Sequence, residues 1–387
     1  MKILHIVPSY LPAWRYGGPI HSVHGLCGAL AAQGHEIHVF TTNVNGSTDS
    51  DVPLGIAVDI DGVQVWYFPS KCLRRLYYSP LMKGALKTRI KEFDLVHLHS
   101  VFLWPMWVAA GCARRAHVPY VIAPRGMLVA ELIREKNKVI KKLSIALFDR
   151  RVLKGATAIH FTTEREKADC LALGINVSCG VVVPNGIDIS EIPVNIRNSK
   201  KKNTAKPYIL YFGRINWKKG IDRLIRAMQF LPEARVNIVG NDEEAYLPTL
   251  KLLAHDLGVR NQVKFHGPAK LEKKWEWITG ASVLVLPSRS ENFGNVVLEA
   301  MAVGVPVVVT PEVGLADTVK RSGAGIVADG NPESIATAIK KIIHDRKKAH
   351  SMSEAGRHTV ETEYTWENVA GQMEEAYQGV LRTPLRE

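Results

Sequence analysis

Two glutamates, Glu291 and Glu299, stand eight positions apart in the segment PSRSENFGNVVLEAMAVGVPVVVT, residues 287–310. The apolar run 283–286 predicts a buried parallel strand before them, and the pattern of 295–302 predicts a helix. Glu291 would then lie at the carboxyl end of a strand, where open α/β sheets bind ligands, and Glu299 about one turn into the helix. The start of the helix would offer backbone amides to an anion, namely those of Gly294, Asn295 and Val296. A phosphate site flanked by two carboxylates that can accept sugar hydroxyls indicates a nucleotide sugar.

A second segment, YFGRINWKKGIDRLIRA (residues 211–227), carries two cations after a predicted strand. Gly213 permits a tight turn, and Arg214 and Lys219 precede a helix that begins near Ile221. A diphosphate leaving group needs its developing charge neutralised, and fixed cations can do this in place of a metal ion. Taken alone, the segment favours solvated surface cations; together with the glutamates, it favours a diphosphate site.

These segments resemble the retaining nucleotide-sugar glycosyltransferases often called glycosyltransferase family four. The E-x7-E spacing is accompanied by the groups PS, FG, LEAMA and GVPVV, and residues 213–220 fill the pattern G-R-x-x-x-x-K-G. The resemblance implies that Glu291 binds donor-sugar hydroxyls and Glu299 binds the ribose, while Arg214 and Lys219 bind the diphosphate without a metal ion. It also implies donor binding by neighbouring positions, namely Gly213, Phe293, Gly294, Asn295 and Val296.

A glycine pair, Gly17 and Gly18, follows the first predicted strand and precedes a helix. Glycine amides can come close to a phosphate because no side chain intervenes. Alone, such a pair is usually just a turn. Family members carry a glycine-rich loop here that touches the donor phosphate, so the resemblance makes both residues donor-binding.

Polar residues also end two later strands of the first half. DLVHLHS (94–100) places His97 and His99 on one face of a strand. They are ordinary strand histidines or part of a metal site without a third nearby ligand. The D-x-x-H-x-H pattern of the family favours a place for His99 beside the reacting sugar. Arg125, in APRGM (123–127), would meet donor or acceptor, and we assign it to the donor.

Strands and helices alternate along the chain, which predicts doubly wound parallel sheets. The predicted strands lie near 2–7, 36–41, 63–68, 94–98, 119–123, 157–161 and 180–183, and then near 208–212, 235–239, 262–266, 282–287, 305–309 and 325–328. The resemblance implies the GT-B fold, an α/β architecture of two Rossmann-like domains that face each other across a cleft. The predicted boundaries are an acceptor-binding domain 1–190, a linker 191–206, a nucleotide-sugar-binding domain 207–363 and a helix 364–387 that crosses back to the first domain. Packing of that helix onto its own domain is the alternative.

The chain of 387 residues is basic, with 50 Lys and Arg against 37 Asp and Glu. Residues 1–190 hold 22 basic and 14 acidic residues, a net charge of 22 − 14 = +8, which indicates an anionic partner. Five cysteines without a C-x-x-C pair suit a reducing compartment, and the first residues read as a strand rather than a signal peptide. These features predict a cytoplasmic protein.

Association with the inner face of the cytoplasmic membrane stays open. The stretches 70–80 and 131–154 combine basic and apolar residues that would suit an anionic bilayer bearing a lipid-linked acceptor. The second stretch reads as a long helix, for which a core stripe with a solvated basic face is the slightly favoured explanation.

Other chemistries lack local support. The D-x-D pairs at 49–51 and 59–61 are short matches, and there is no G-x-S-x-G, Walker loop or complete G-x-G-x-x-G. One departure from the family is PEVGLADTV (311–319), which replaces the usual G-G-x-x-E loop beside the donor sugar.

The sequence therefore predicts a retaining, metal-independent glycosyltransferase of the hexosyltransferase kind. It would move a sugar from a UDP- or GDP-linked donor to a glycan or lipid-linked acceptor in surface polysaccharide biosynthesis. No cofactor, bound metal ion or nucleic-acid partner is expected. A nucleotide-sugar epimerase of the same shape, or a basic protein that binds membrane or nucleic acid, is the alternative.

Overall fold

The computed structural model describes residues 1–13, 18–128, 150–177, 179–197, 208–269 and 271–383. The chain forms two compact units. We call Met1–Gly186 together with Trp366–Glu387 the N-terminal unit, and Ile187–Thr365 the C-terminal unit. Each unit is built on a main sheet with helices between the strands, as the alternating pattern predicts.

The N-terminal unit contains an eight-stranded sheet in the order β10-β9-β8-β7-β1-β2-β6-β5. All neighbours are parallel except β5 and β6, and β3 and β4 form a separate antiparallel pair. The elements are β1 Lys2–Ser9, α1 Gly18–Ala32, β2 Glu36–Thr42, β3 Val44–Asn45, β4 Thr48–Asp49, β5 Ala57–Ile60, β6 Val63–Phe68, α2 Pro80–Arg89, β7 Leu95–His99, α3 Trp104–Ala116, β8 Tyr120–Ala123, α4 Arg150–Gly155, β9 Ala158–Phe161, α5 Glu164–Ala172, β10 Gly180–Val182 and, at the end of the chain, α14 Trp366–Arg382.

The C-terminal unit contains a six-stranded parallel sheet in the order β13-β12-β11-β14-β15-β16. Its elements are α6 Val194–Arg197, β11 Tyr208–Phe212, α7 Ile221–Ala227, β12 Arg235–Val239, α8 Leu247–Asp256, β13 Val263–His266, α9 Leu271–Gly280, β14 Val283–Leu286, α10 Asn295–Ala302, β15 Val307–Val309, α11 Ala316–Ser322, β16 Gly325–Val327, α12 Pro332–Ile343 and α13 Arg346–Glu363.

Each sheet has one place where the strand order reverses. In the N-terminal unit this place lies between β1 and β7, and in the C-terminal unit between β11 and β14. Connections on the two sides of such a point leave in opposite directions, which opens a crevice at the carboxyl ends of the strands. The strand order therefore marks where each unit can bind a ligand.

Apolar residues cover both faces of the N-terminal sheet. Along β1, Leu4 and Ile6 join one buried cluster, whereas Ile3 and Val7 join the other. The second cluster includes the apolar face of α14, where Met373 is fully buried. The buried residues of α14 recur at helical spacing, at Val369, Met373, Tyr377 and Val380, and they pack α14 within the N-terminal unit.

The sequence predicted every strand of the two main sheets except β5, and it did not predict β3 and β4. The helix predicted at 295–302 is α10. The predicted helix 131–154 lies mostly outside the described residues, which contain its last part as α4. Within the described ranges, no helix is long and apolar enough to cross a membrane.

Candidate functional site

The loops that follow β11 and β14 meet where the strand order of the C-terminal unit reverses. Lys219 ends a short 3-10 turn after β11, and its Nζ donates a hydrogen bond to Oε2 of Glu291. The two side chains are only 15% and 18% exposed. The Glu291 backbone is fixed as well, because its N–H donates to Glu312 O at 3.1 Å and its C=O accepts from Gly314 N–H at 2.9 Å. One predicted diphosphate cation and one predicted sugar-binding carboxylate thus lie together.

A glycine allows the two loops to come this close. Gly220 has φ +61°, and a Cβ there would lie 2.0 Å from the carbonyl oxygen of Pro287. Arg289 ties the same loops, because its N–H donates to Lys218 O at 2.6 Å. Its guanidinium also donates to both carboxylate oxygens of Asp222, at 2.6 and 2.7 Å.

The Arg289–Asp222 pair is ionic. Burial alone would raise the pKa of Asp222, but the hydrogen bonds and charge of Arg289 lower it below its ordinary value. The same hydrogen bonds raise the pKa of Arg289. A bidentate guanidinium–carboxylate pair fixes orientation as well as distance. It therefore holds the loop that bears Glu291 against the first turn of α7.

The second signature glutamate is also paired with a lysine. Glu299 lies on α10, and its Oε1 is 2.6 Å from Nζ of Lys274 on α9. Gly294, with φ +95°, is the N-cap of α10, so the partly exposed Asn295 and Val296 begin the helix as predicted. Phe293 differs from its neighbours, because its side chain is buried in the hydrophobic core.

The contacts of Arg214 are with other residues than Lys219 and Glu291. Its side chain is 60% exposed, and its Nη1 is 3.3 Å from Glu243. Gly213 precedes it and donates its N–H to Val239 O at 3.0 Å. The fully buried Tyr211 donates its hydroxyl to Arg214 O at 2.7 Å. Burial, and then the negative charge of Glu291, raise the pKa of Tyr211 well above its ordinary value.

In the N-terminal unit, both ring nitrogens of His99 are engaged. Arg125 Nη2 lies 3.2 Å from His99 Nδ1, and His99 Nε2 lies 2.9 Å from His5 Nδ1. A guanidinium only donates hydrogen bonds, so His99 accepts at Nδ1 and donates from Nε2 to His5. Because His5 accepts at Nδ1, the proton of its ring lies on Nε2, which has no partner in the described part of the chain. Arg125 also donates to Asn185 Oδ1 at 2.7 Å.

A second chain of hydrogen bonds links α14 to this sheet. His160 Nε2 lies 2.8 Å from Val183 O, so it carries the proton. His160 Nδ1 therefore accepts from His97 Nε2 at 3.3 Å, and His97 Nδ1 accepts from the Tyr377 hydroxyl at 2.6 Å. Every ring in the two chains is thus a neutral imidazole in one tautomer.

The pKa shifts of the four histidines agree with neutral rings. Burial, and then the charge of Arg125, lower the pKa of His5 to about 3 and that of His160 to about 3. Burial also lowers the pKa values of His97 and His99.

The same histidines could form a metal site, because nitrogens of His5, His97 and His99 lie within 4.8 Å of one another. This supplies the third ligand that the sequence did not reveal. A guanidinium 3.2 Å from His99 disfavours a cation there, and five of the six ring nitrogens already have hydrogen-bond partners. The arrangement instead supports Arg125 at the carboxyl end of β8.

Of the predicted glycine loop, Gly17 lies outside the described residues. Gly18 is exposed at the first position of α1, and its carbonyl oxygen accepts a hydrogen bond from Ser22 Oγ at 2.9 Å.

The sequence did not indicate several residues of these sites. Asp222 and Arg289 lie inside the segments 211–227 and 287–310, and their opposite charges could have suggested a pair. Lys274 is one of several charged residues in LEKKWEW and carries no distinguishing signal. His5, His160 and Tyr377 are brought together only by the order of the strands and the packing of α14.

Comparisons with known proteins identify the class. The family described as "Glycosyl transferase 4-like domain" matches residues 17–186, and the family described as "Glycosyl transferases group 1" matches residues 194–359. The chain belongs to these glycosyltransferases and is an enzyme of that class.

Similar proteins cover nearly the whole chain. It is 28% identical to a D-inositol 3-phosphate glycosyltransferase of Xylanimonas cellulosilytica over 96% of this chain and 94% of the relative. Among solved structures, sucrose-phosphate synthase from Thermosynechococcus elongatus is 23% identical, with a TM-score of 0.76 over 98% of this chain and 99% of the other. Anabaena Alr3699/HepE in complex with UDP-glucose is 20% identical, with a TM-score of 0.73 over 98% and 100%. The two parallel-sheet units are therefore those of the GT-B fold.

Proposed function

We propose that the protein is a retaining, metal-independent glycosyltransferase that uses a UDP- or GDP-linked sugar. The observation that carries this proposal is the Lys219–Glu291 pair at the carboxyl edge of the C-terminal sheet. It offers an ammonium group for a diphosphate and a carboxylate for sugar hydroxyls at one point. The UDP-glucose complex of the similar HepE structure supports a nucleotide-sugar donor.

We assign the remaining roles from the family resemblance and from the chemistry of each side chain. Glu299 would accept hydrogen bonds from the ribose, and Arg214 would join Lys219 on the diphosphate. The N-terminus of α10 would add backbone amides and a positive dipole end. Arg125 would bind the donor, and His99, whose Nδ1 accepts from Arg125, would position it beside the reacting sugar. No side chain need be a covalent nucleophile, because the departing phosphate can take the acceptor proton on the same face.

We further propose that the acceptor is a glycan or a lipid-linked glycan of a surface polysaccharide, and that the enzyme works in the cytoplasm. The D-inositol 3-phosphate relative supports a polar, polyhydroxylated acceptor. The departure at 311–319 leaves the donor sugar to be identified by experiment.

The test combines a donor screen with product analysis. Purified protein is incubated with UDP- and GDP-linked sugars and candidate acceptors, with excess EDTA or with Mg²⁺. Transfer should survive EDTA, and proton NMR of the first product should show the anomeric configuration of the donor. An inverted product, or activity lost in EDTA and restored by a divalent ion, would contradict the proposal. A free isomer formed from donor alone would instead indicate an epimerase.

A membrane-docking surface is proposed on the N-terminal unit. Leu73 and Leu81 are 63% and 64% exposed, and Lys71 and Arg75 are exposed beside Leu73. Arg74 does not contribute, because it is bound to Asp49 at 2.5 Å. Exposed apolar residues next to basic ones suit an anionic bilayer surface.

Vesicle co-sedimentation tests the docking surface. Binding should rise with anionic lipid and fall with salt, and Lys71→Glu with Arg75→Glu should abolish it. The matched control is Lys340→Glu with Lys341→Glu, two exposed lysines at the end of α12. Equal binding to neutral and anionic vesicles would refute the docking surface and leave the catalytic proposal intact.

A further inference from the structure

Lys274, which lies outside the predicted motifs, contacts the second signature glutamate. Its Nζ is 2.6 Å from Oε1 of Glu299, and the two side chains are 21% and 16% exposed. We propose that Lys274 is a specificity-determining residue: it fixes Glu299 so that the site recognises the ribose diol of a nucleoside diphosphate. This inference rests on the proposed function, because it assumes that Glu299 faces the ribose.

The lysine is itself held in place. Its Nζ lies 5.0 Å from the centroid of the Trp275 ring, and Trp275 is buried. Thr279 donates its hydroxyl to Trp275 O at 2.7 Å within the same helix. The ammonium group is therefore positioned by α9, while its partner is positioned by α10. A pair of charges removed from most of their water persists only when its geometry is well defined.

While paired with Lys274, the carboxylate of Glu299 can still accept hydrogen bonds from a ligand. A carboxylate can accept about four hydrogen bonds, and the contact of Lys274 at 2.6 Å is with one of its oxygens, Oε1 of Glu299. The two adjacent hydroxyls of a ribose can still be accommodated. Without the lysine, the glutamate side chain would gain rotamer freedom that a ligand must remove, and binding would weaken.

Ribose selectivity follows from the same geometry. A site built to bind a hydroxyl rejects the analogue that lacks it, because its own buried polar group is left unpaired. Lys274 strengthens this effect by preventing Glu299 from turning toward water. Lys219 is different, since its assigned ligand is the diphosphate and its loss should act on the reacting end of the donor.

The experiment compares ribose and 2′-deoxyribose ligands. Calorimetric titration with UDP and GDP first identifies which one binds, and the same base is then tested as dUDP or dGDP. The wild type should prefer the ribonucleotide by roughly tenfold or more, the effect of one hydrogen bond to a charged group. Lys274→Met should weaken ribonucleotide binding by about tenfold, change 2′-deoxynucleotide binding little and bring the ratio near one.

Three further variants isolate the mechanism. Lys274→Arg should retain part of the preference, and Lys273→Met, at an exposed neighbouring lysine, should retain all of it. Glu299→Gln should remove the preference, and adding Lys274→Met to it should have no further effect. In turnover, Lys274→Met should raise the donor KM with kcat changed by less than about twofold, because the ribose does not react. Lys274→Gln serves in the same assays if the methionine variant does not fold.

The outcomes separate the inference from the proposed function. A wild-type preference that Lys274→Met leaves unchanged, or that Lys273→Met removes equally, overturns the role of Lys274 alone. A wild type that binds the nucleotide without any ribose preference overturns it too. If neither UDP nor GDP binds the wild type, the proposed donor site itself is wrong.

Discussion

Replacing Gly220 with alanine should damage the donor site through the backbone rather than through a lost side chain. The Cβ of Gly220→Ala would lie 2.0 Å from Pro287 O, whereas ordinary contacts begin at 3.4 Å, so the loops must separate by about 3.4 − 2.0 = 1.4 Å. That movement would pull the loop bearing Glu291 away from Lys219. The variant should lose stability and nucleotide affinity together.

The magnitude has two parts. Alanine at φ +61° must adopt a left-handed backbone conformation, which destabilises the fold by about 1–2 kcal/mol. Forcing a methyl group against a packed backbone adds about 1–3 kcal/mol. The total is about 2–5 kcal/mol. Gly258, in the same unit, has φ +69° and nothing within 4 Å of its Cβ position, so Gly258→Ala carries only the first cost.

Calorimetry of the C-terminal unit's unfolding and a nucleoside diphosphate titration measure both effects. Gly258→Ala should lose about 1–2 kcal/mol and bind nucleotide normally. Gly220→Ala should lose more and bind at least tenfold more weakly, since a change of 1.4 kcal/mol is tenfold. Equal destabilisation of the two variants, with nucleotide affinity unchanged in both, would refute the close-approach argument.

The remaining predictions address other contacts. Lys219→Ala should lower kcat about 10²- to 10³-fold, the usual loss for one preorganised charge donor, and steady-state kinetics in EDTA would show it; a mere rise in KM would contradict the assignment. Arg289→Lys should raise the donor KM, because lysine cannot make the bidentate contact to Asp222. Asp222→Asn should produce the same change if the loss of this contact is the cause. Acid should destabilise the N-terminal unit: the pKa values of His5 and His160 fall from 6.5 to about 3 on folding, so the unfolded chain binds more protons. Stability is then complete above pH 6.5 and declines as the pH falls toward 3, by about 2 kcal/mol per histidine at pH 5. Urea unfolding at pH 7.5 and pH 5 measures this, and equal midpoints would rule out buried neutral rings.

The local parts of the structure could be predicted from the sequence. Apolar runs of four to six residues, separated by glycines, prolines and helical patterns, located the strands of both main sheets because burial and turn chemistry are properties of neighbouring residues. The start of α10 was likewise visible, since Gly294 can adopt the positive φ that precedes it. The short β3–β4 pair and the antiparallel β5 were not predicted, because their residues lack a continuous apolar pattern.

The pairings inside each site depended on tertiary structure. Lys219 and Glu291 meet because β14 pairs with β11, although β12 and β13 come between them in the chain. The same adjacency brings Arg289 to Asp222, and the packing of α9 beside α10 brings Lys274 to Glu299. Sequence motifs therefore predicted which residues would bind phosphate and sugar hydroxyls. Which charge neutralises which was decided by strand order and helix packing, because electrostatic partners are selected by distance in space and not by distance along the chain.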